Sequence, residues 1–201
     1  MKDFWNTRYA EYDSVYGTSP NDFLRDQVHC LPQQGKILCL AEGEGRNALF
    51  LAQNGFIVTA VDFSEKAIEK LQRRSKELNL SIQTVVADLN DFEMGSSEWD
   101  GIVSIFGHLP PRTRKIVHGK IVRALKPEGV FLMEAYCPEQ LLLKTGGPKE
   151  EDMFMTLDII NEELSDLKPQ IKRTCIREIN EGLFHNGLSA VVQFIGSKSL
   201  N

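Results

Sequence analysis

Cysteine is scarce and scattered, with four in 201 residues, at Cys30, Cys39, Cys137 and Cys175. No two stand as a CxxC pair, which removes a redox or zinc motif from consideration. The four read as small hydrophobes of a reduced, cytoplasmic protein. Long apolar runs are missing as well, and none approaches the ~20 residues of a membrane helix. The opening MKDFWNTRYAEYDS has no uncharged apolar stretch, so no signal peptide is expected. Positive charge is not in surplus: 23 Lys+Arg against 28 Asp+Glu give a formal net charge of −5, a poor basis for general binding to a phosphate backbone. Internal repeats, linkers and low-complexity segments are not found. What is present is an ordinary globular mixture, 42% hydrophobic and 25% charged. A chain of this length buries on the order of 70% of its unfolded surface and needs no disulfide or metal to hold a core.

From residue 36 onward, short apolar runs alternate with helical stretches. KILCLA (36–41), FIVTAVD (56–62), SIQTVVAD (81–88), WDGIVSIF (99–106) and GVFLMEAY (129–136) read as strands. RNALFLAQNG (46–55) reads as a helix stopped at Asn54-Gly55, and Ser64 reads as the N-cap of the next, with Ala67, Ile68 and Leu71 as its apolar stripe. A further helix is expected around 111–125. Continuous apolar strands separated by helices imply a buried parallel sheet of βαβ units. The first thirty residues are aromatic-rich (Phe4, Trp5, Tyr9, Tyr12, Tyr16 and Phe23), and Ser19-Pro20-Asn21-Asp22 predicts a helix capped by Ser19 with Pro20 in first position. At the other end, IKRTCIREINEGLFHNGLSAVVQFIGSK holds two β-type runs around a Gly- and Asn-containing turn, an antiparallel hairpin that finishes the sheet.

The chemistry concentrates after the strands. Gly43-x-Gly45-x-x-Ala48 lies between a strand and a helix, where glycine lets the backbone approach a ligand and the helix start presents free N–H groups. Asp62 ends the second strand, 19 residues after Gly43, placed to accept the two hydroxyls of a ribose. Asp88 ends the third in the same manner. In a doubly wound sheet these strand ends meet at one crevice beside the topological switch point. Either aspartate alone reads equally well as a cap or turn residue; the two together, after a glycine loop, favour a nucleoside site.

In order and spacing, ILCLAEGEGRNALFLA, VTAVDFS, VVADLNDF, WDGIVSIFGHLPP and LKPEGVFLMEAY resemble a class I S-adenosylmethionine-dependent methyltransferase, most nearly the small tellurite-resistance or thiopurine methyltransferase-like group. The resemblance runs over nearly the whole chain, YGTSPNDFL included. It implies an α/β, Rossmann-like, doubly wound sheet of seven strands, mostly parallel with an antiparallel last strand, with helices on both faces. Residues 1–201 are then one domain, 1–35 a helical lid segment and 36–201 the core. The resemblance implies S-adenosylmethionine as cofactor. Glu42, Gly43 and Gly45 then lie along its methionine part, Asp62 takes the ribose, and Phe63 flanks the adenine. Asp88 and Leu89 face the adenine amino group and ring, and Ile105, Phe106 and Gly107 line the crevice near the sulfonium. Two departures stand out: Cys39 where the family has an acidic residue, and Ala41 where it has glycine. Glu42 is the candidate to supply the missing charge, against the reading of a solvated loop residue.

Methyl transfer from a sulfonium is an in-line displacement with a neutral leaving group, so alignment and exclusion of water are the main tasks. A thiolate or other soft anion needs no general base, whereas oxygen or nitrogen nucleophiles call for one. The catalytic candidates are His108, Glu134 and Tyr136, His108 having helix entry as its rival role. Glu134 sits within an apolar strand end, where an unpaired carboxylate is costly, so it requires a partner such as an arginine. Arg112 and Arg114 read as solvated helix residues and His185 as an exposed turn residue. Trp5, Arg8 and Tyr16 are either a lid or ordinary packing, and 144–148, from Lys144 to Pro148, is a loop placed to vary substrate choice. His108, His118, His185 and the cysteines show no ligand spacing, and no metal is expected. The expected partner is a small molecule, with neither nucleic acid nor membrane. Two other readings stay open. One is an NAD-dependent oxidoreductase, which GxGxxA followed by an acid also fits, although no length remains for a separate substrate domain. The other is a protein that binds S-adenosylmethionine without transferring its methyl group.

Overall fold

The computed structural model describes residues 2–11, 14–143, 145–182 and 185–200, the side chains of residues 2–4 excepted. Tyr12, Lys144 and the Phe4 side chain, named above, lie outside the described residues. Seven strands form one sheet: β1 (Lys36–Leu40), β2 (Ile57–Asp62), β3 (Ile82–Val86), β4 (Trp99–Ile105), β5 (Leu125–Tyr136), β6 (Leu167–Asn180) and β7 (Asn186–Lys198). Their order is β3-β2-β1-β4-β5-β7-β6. The helices are α1 (Lys2–Glu11), α2 (Asp22–Gln27), α3 (Arg46–Gln53), α4 (Glu65–Glu77), α5 (Pro111–Ala124), α6 (Gln140–Leu143) and α7 (Leu157–Glu163).

Period-two alternation sorts the central strands between two cores. Leu38 and Leu40 of β1 join Ile102, Phe131 and Met133 against Val117 and Ile121 of α5 and Ile160 of α7. Ile37 and Cys39, one residue out of phase, join Val58, Ala60 and Val103 against Leu49 and Leu51 of α3, Ile68 and Leu71 of α4, and Phe23 and Leu24 of α2. A strand covered on both faces has to be apolar throughout, which is why KILCL and its neighbours carry no polar alternation. β1 pairs in parallel with β2 on one side and with β4 on the other. The chain therefore leaves β1 outward to β3, returns to β4, and opens a crevice between the ends of β1 and β4. β7 is antiparallel to both β5 and β6, with Glu134 opposite Gln193 and Cys175 opposite Val191.

Local signals explain most element ends. The Ser64 hydroxyl caps α4 by accepting from Ala67 N at 3.2 Å, and α3 ends at Asn54 before Gly55, whose φ is +84°. The cap of α2 differs from expectation. Asn21, not Ser19, accepts from Leu24 N at 3.0 Å, and the helix starts after Pro20 instead of with it. Asn21 is locked in that position from outside the helix, its N–H donating to Asn47 Oδ1 at 2.9 Å. β3 stops at Val86, short of Asp88. β5 begins at Leu125, earlier than the apolar run suggests, since Leu125 pairs with Trp99 across an irregularity in register and Glu128 turns the chain with φ +63°.

Candidate functional site

The loop after β1 is built by backbone geometry. Gly43 and Gly45 have φ +63° and +86°, in the left-handed region that suits glycine. A Cβ at Gly45 would stand 2.1 Å from Leu71 Cδ1, so that glycine lets α3 and α4 pack together. A Cβ at Gly43 would stand 2.6 Å from the Tyr9 hydroxyl, which places the α1 tyrosine directly above the loop. Ala41, in the position of a family glycine, also has a positive φ, +49°.

Two carboxylates flank this loop. Asp62 Oδ2 accepts from Gly43 N and Oδ1 from Ser64 N, both at 2.8 Å. Burial raises the Asp62 carboxyl above its ordinary value, while the N–H groups of Ser64, Gly43 and Phe63 pull the other way. Glu42 Oε1 accepts from Ala48 N at 2.7 Å, and Asn47 N also donates to this carboxylate. The start of α3, read from sequence as a set of free N–H groups, is thus capped by the chain's own glutamate. Burial pushes the Glu42 carboxyl up to about 7, with Asp62 adding to the rise. Cys39 is fully buried in the core beneath.

The remaining cofactor candidates end or follow β2, β3 and β4. Phe63 follows Asp62 and is half-buried; Asp88 is exposed two residues beyond β3, and its Oδ1 accepts from Asn90 N at 2.8 Å, while Leu89 is buried in the core. Across the switch point, Ile105 ends β4, Phe106 has φ +52°, and a Cβ on Gly107 would meet Ala41 Cβ at 3.2 Å. The structure therefore brings Glu42, Gly43, Gly45 and Asp62 into one cradle, with Ile105, Phe106 and Gly107 as its opposite wall.

Beyond Phe106, rings form a continuous surface. Phe106 stacks on Tyr136 at 4.7 Å between centroids and meets His185 edge-on at 4.8 Å. His108 stacks on Tyr136 at 5.5 Å, and His185 lies 4.5 Å from Tyr16. Tyr16 contacts Tyr9 at 6.4 Å, which closes the path back to the glycine loop. His108 is pinned at both ring nitrogens: Nδ1 lies 2.9 Å from Phe106 O, and Nε2 accepts from Tyr136 N at 3.1 Å. This network assigns the proton to Nδ1. Burial lowers the His108 pKa to about 4, and burial likewise holds His185 well below its ordinary value. Ser189 hydrogen-bonds the Tyr136 hydroxyl, and among the described residues His185 Nδ1 is buried without a hydrogen-bond partner. Burial holds the Tyr136 phenol in its protonated form.

Glu134 stands apart from this wall, fully buried beneath it. Its partner is an arginine: Arg177 donates from Nε at 3.1 Å and from its Nη2, while Gln193 Nε2 donates at 2.6 Å and Asn21 Nδ2 at 2.8 Å. Sequence reasoning missed His185, which packs into the ring surface instead of standing exposed, and Tyr9; the aromatic-rich N-terminal segment was the available signal. Arg114 is buried on α5 and bonded to Glu163, not solvated, whereas Arg112 is exposed. Among the described residues, no group of three His, Cys, Asp or Glu side chains is gathered as metal ligands would be.

Residues 37–129 match the model of a methyltransferase domain family. The YqeM methyltransferase of Bacillus subtilis is 30% identical over 132 residues, 62% of this chain and 52% of its own length. A methyltransferase of Synechocystis is 29% identical over 191 residues, 88% of this chain and 86% of its own. The crystal structure of TehB from Haemophilus influenzae matches the fold with a TM-score of 0.75 at 20% identity, over 98% of this chain and 67% of that one. The chain thus spans about half the length of the YqeM relative. The fold is Rossmann-like, with a crevice at its topological switch point between β1 and β4. Residues 37–129 are thus similar to a methyltransferase domain, and the whole chain shares its fold with solved methyltransferase structures.

S-adenosylmethionine is the cofactor that the methyltransferase match implies, and the residues present fit it. A loop with room only for glycine, flanked by the Glu42 and Asp62 carboxylates, offers negative charge to a cationic ligand. Each Asp62 oxygen keeps a second lone pair for a ribose hydroxyl.

Proposed function

We propose that this chain transfers a methyl group from S-adenosylmethionine to a small-molecule acceptor that arrives as a soft anion, a thiolate or another chalcogen anion. The bound cofactor supplies a methyl group on a sulfonium, already activated toward displacement. The observation that carries the reading is the chemistry of the acceptor side. Both His108 nitrogens are engaged with backbone, Glu134 is sealed among four donors, and the Tyr136 phenol stays protonated. None of the three candidates is poised as a general base, so the acceptor has to come already nucleophilic. In this reading His108 fixes the end of β5, while Phe106 and Tyr16, backed by the buried Tyr136, exclude water and orient the acceptor. Glu42 lies along the methionine ammonium, Gly43 and Gly45 admit the chain of the cofactor, and Asp62 holds the ribose. Phe63, Asp88 and Leu89 border the adenine, and Ile105, Phe106 and Gly107 border the sulfonium. Residues 1–35 act as a lid on a single domain whose place is the cytoplasm. Among the described residues, no helix is long and apolar enough to cross a membrane.

Calorimetric titration with S-adenosylmethionine and with NAD tests the cofactor. We expect binding of the first alone, and weakening of tenfold or more in Asp62→Ala, since each lost charge-assisted hydrogen bond is worth ~1.5–3 kcal/mol. Turnover of a thiol and selenide panel, read as release of S-adenosylhomocysteine, tests the acceptor. Unchanged affinity in a folded Asp62→Ala protein removes the ribose assignment. Binding without turnover of any acceptor returns the protein to a binding role, the reading that the Cys39 and Ala41 departures keep open.

A further inference from the structure

Beneath the ring surface, Arg46, Glu134 and Glu181 are buried together with the carboxamides of Asn21 and Gln193, and Arg177 joins them half-buried. Glu181 Oε1 accepts from Asn21 Nδ2 at 2.8 Å and from Arg177 Nη2 at 3.2 Å, while Oε2 pairs with Arg46 Nη2. Glu134 shares Asn21 and Arg177 with it and takes Gln193 on its far side. The charges cancel and every carboxylate oxygen has a donor. Such a network is weak evidence for stability, because well-packed apolar residues often do as well; its value lies in fixing geometry.

The geometry fixed here joins two parts of the cleft. Arg46 is the first residue of α3, immediately after Gly45 of the cofactor loop. Glu181 lies just past β6, and its backbone N–H donates to His185 O at 2.8 Å, closing the turn that carries His185. A Cβ at the next residue, Gly182, would stand 2.6 Å from Gly17 N and from Tyr16 C, so this turn is pressed against the backbone beside Tyr16.

We infer that Glu181 is a positioning residue: through Arg46 and Asn21 it holds the β6–β7 turn, and with it His185 and Tyr16, in register with the cofactor loop. The inference rests on the reading of that loop as the cofactor site and of the ring surface as the acceptor side. Its consequence is that occupancy of the loop orders the acceptor side, and the coupling is reciprocal.

Hydrogen–deuterium exchange of the full chain, with and without S-adenosylhomocysteine as probe, tests this alongside calorimetry. In the wild type, the probe should slow exchange of amides 181–188 by about tenfold. In Glu181→Gln, that protection should be lost while the probe's dissociation constant moves by less than about threefold. Arg46→Lys weakens the same link from the other side, and it decides by the same criteria where Glu181→Gln does not fold. Retained protection in the folded variant overturns the inference, as does loss of affinity in proportion to loss of protection. Binding of the probe to wild type without protection of the turn overturns it and leaves the cofactor assignment standing. No binding of the probe to wild type overturns both.

Discussion

Replacing Glu42 by glutamine should make this protein more stable at neutral and alkaline pH. Glu42 accepts from Ala48 N and Asn47 N, yet burial dominates and moves its carboxyl from 4.5 to about 7. Between those values the native state keeps a proton that the unfolded chain has released. The native state binds more protons, so stability falls as pH rises through this window and levels off above it. At about 1.36 kcal/mol per pH unit, the loss amounts to about 3 kcal/mol. Glutamine keeps an oxygen for Ala48 N and carries no charge at any pH. The two proteins should match near pH 4.5, and Glu42→Gln should lead by about 3 kcal/mol at pH 8, a rise in Tm of about 6–12 °C in a chain of this size. Urea denaturation at pH 5, 6, 7 and 8, followed by circular dichroism, measures it. A difference that does not vary with pH, or a glutamine variant less stable at pH 8, refutes the reasoning. A group that costs stability at the mouth of a binding loop is a group for a ligand, and the same substitution should weaken S-adenosylmethionine binding.

Two further outcomes follow from backbone and ring geometry. Ala41 holds φ +49°, and left-handed backbone costs a non-glycine residue roughly 1–2 kcal/mol, so Ala41→Gly should raise thermal stability by about 1 kcal/mol in calorimetry. His108 bridges Phe106 O and Tyr136 N. His108→Ala should therefore lower stability by roughly 2 kcal/mol, while the pH profile of turnover should keep its shape from pH 6 to 9. A lost inflection in that profile would assign a proton transfer to His108.

The elements with continuous apolar runs were legible in the sequence because burial on two faces leaves one kind of residue to use. β1, β2 and β4 begin within a residue of expectation, and Asp62 and the glycine loop meet as the strand ends require, through Gly43 N. The caps were legible where the signal was local, as at Ser64, and misread where it was not. Asn21 became the cap of α2 because of partners 113 and 160 residues away. The need of Glu134 for an arginine followed from the cost of burying charge, but nothing local says that the arginine is Arg177, on a strand that does not pair with β5. The burial of Arg114 against Glu163 and the packing of His185 on Tyr16 were hidden for the same reason: each depends on which elements the sheet order makes neighbours.

That sheet order bears on how the protein is made. β7 follows β6 in the chain yet lies between β5 and β6. As the polypeptide leaves the ribosome, β5 and β6 emerge before the strand that separates them, and the 13 residues of β7 follow over on the order of a second. During that interval β5 presents an open edge, and Glu134 waits in an apolar strand without Gln193. Lys168, Lys172, Arg173 and Pro169 on β6 work against premature pairing with it, since charge and proline blunt an edge. The ring surface and the charged joint beneath it thus come into being together, when the final strand slides into its slot.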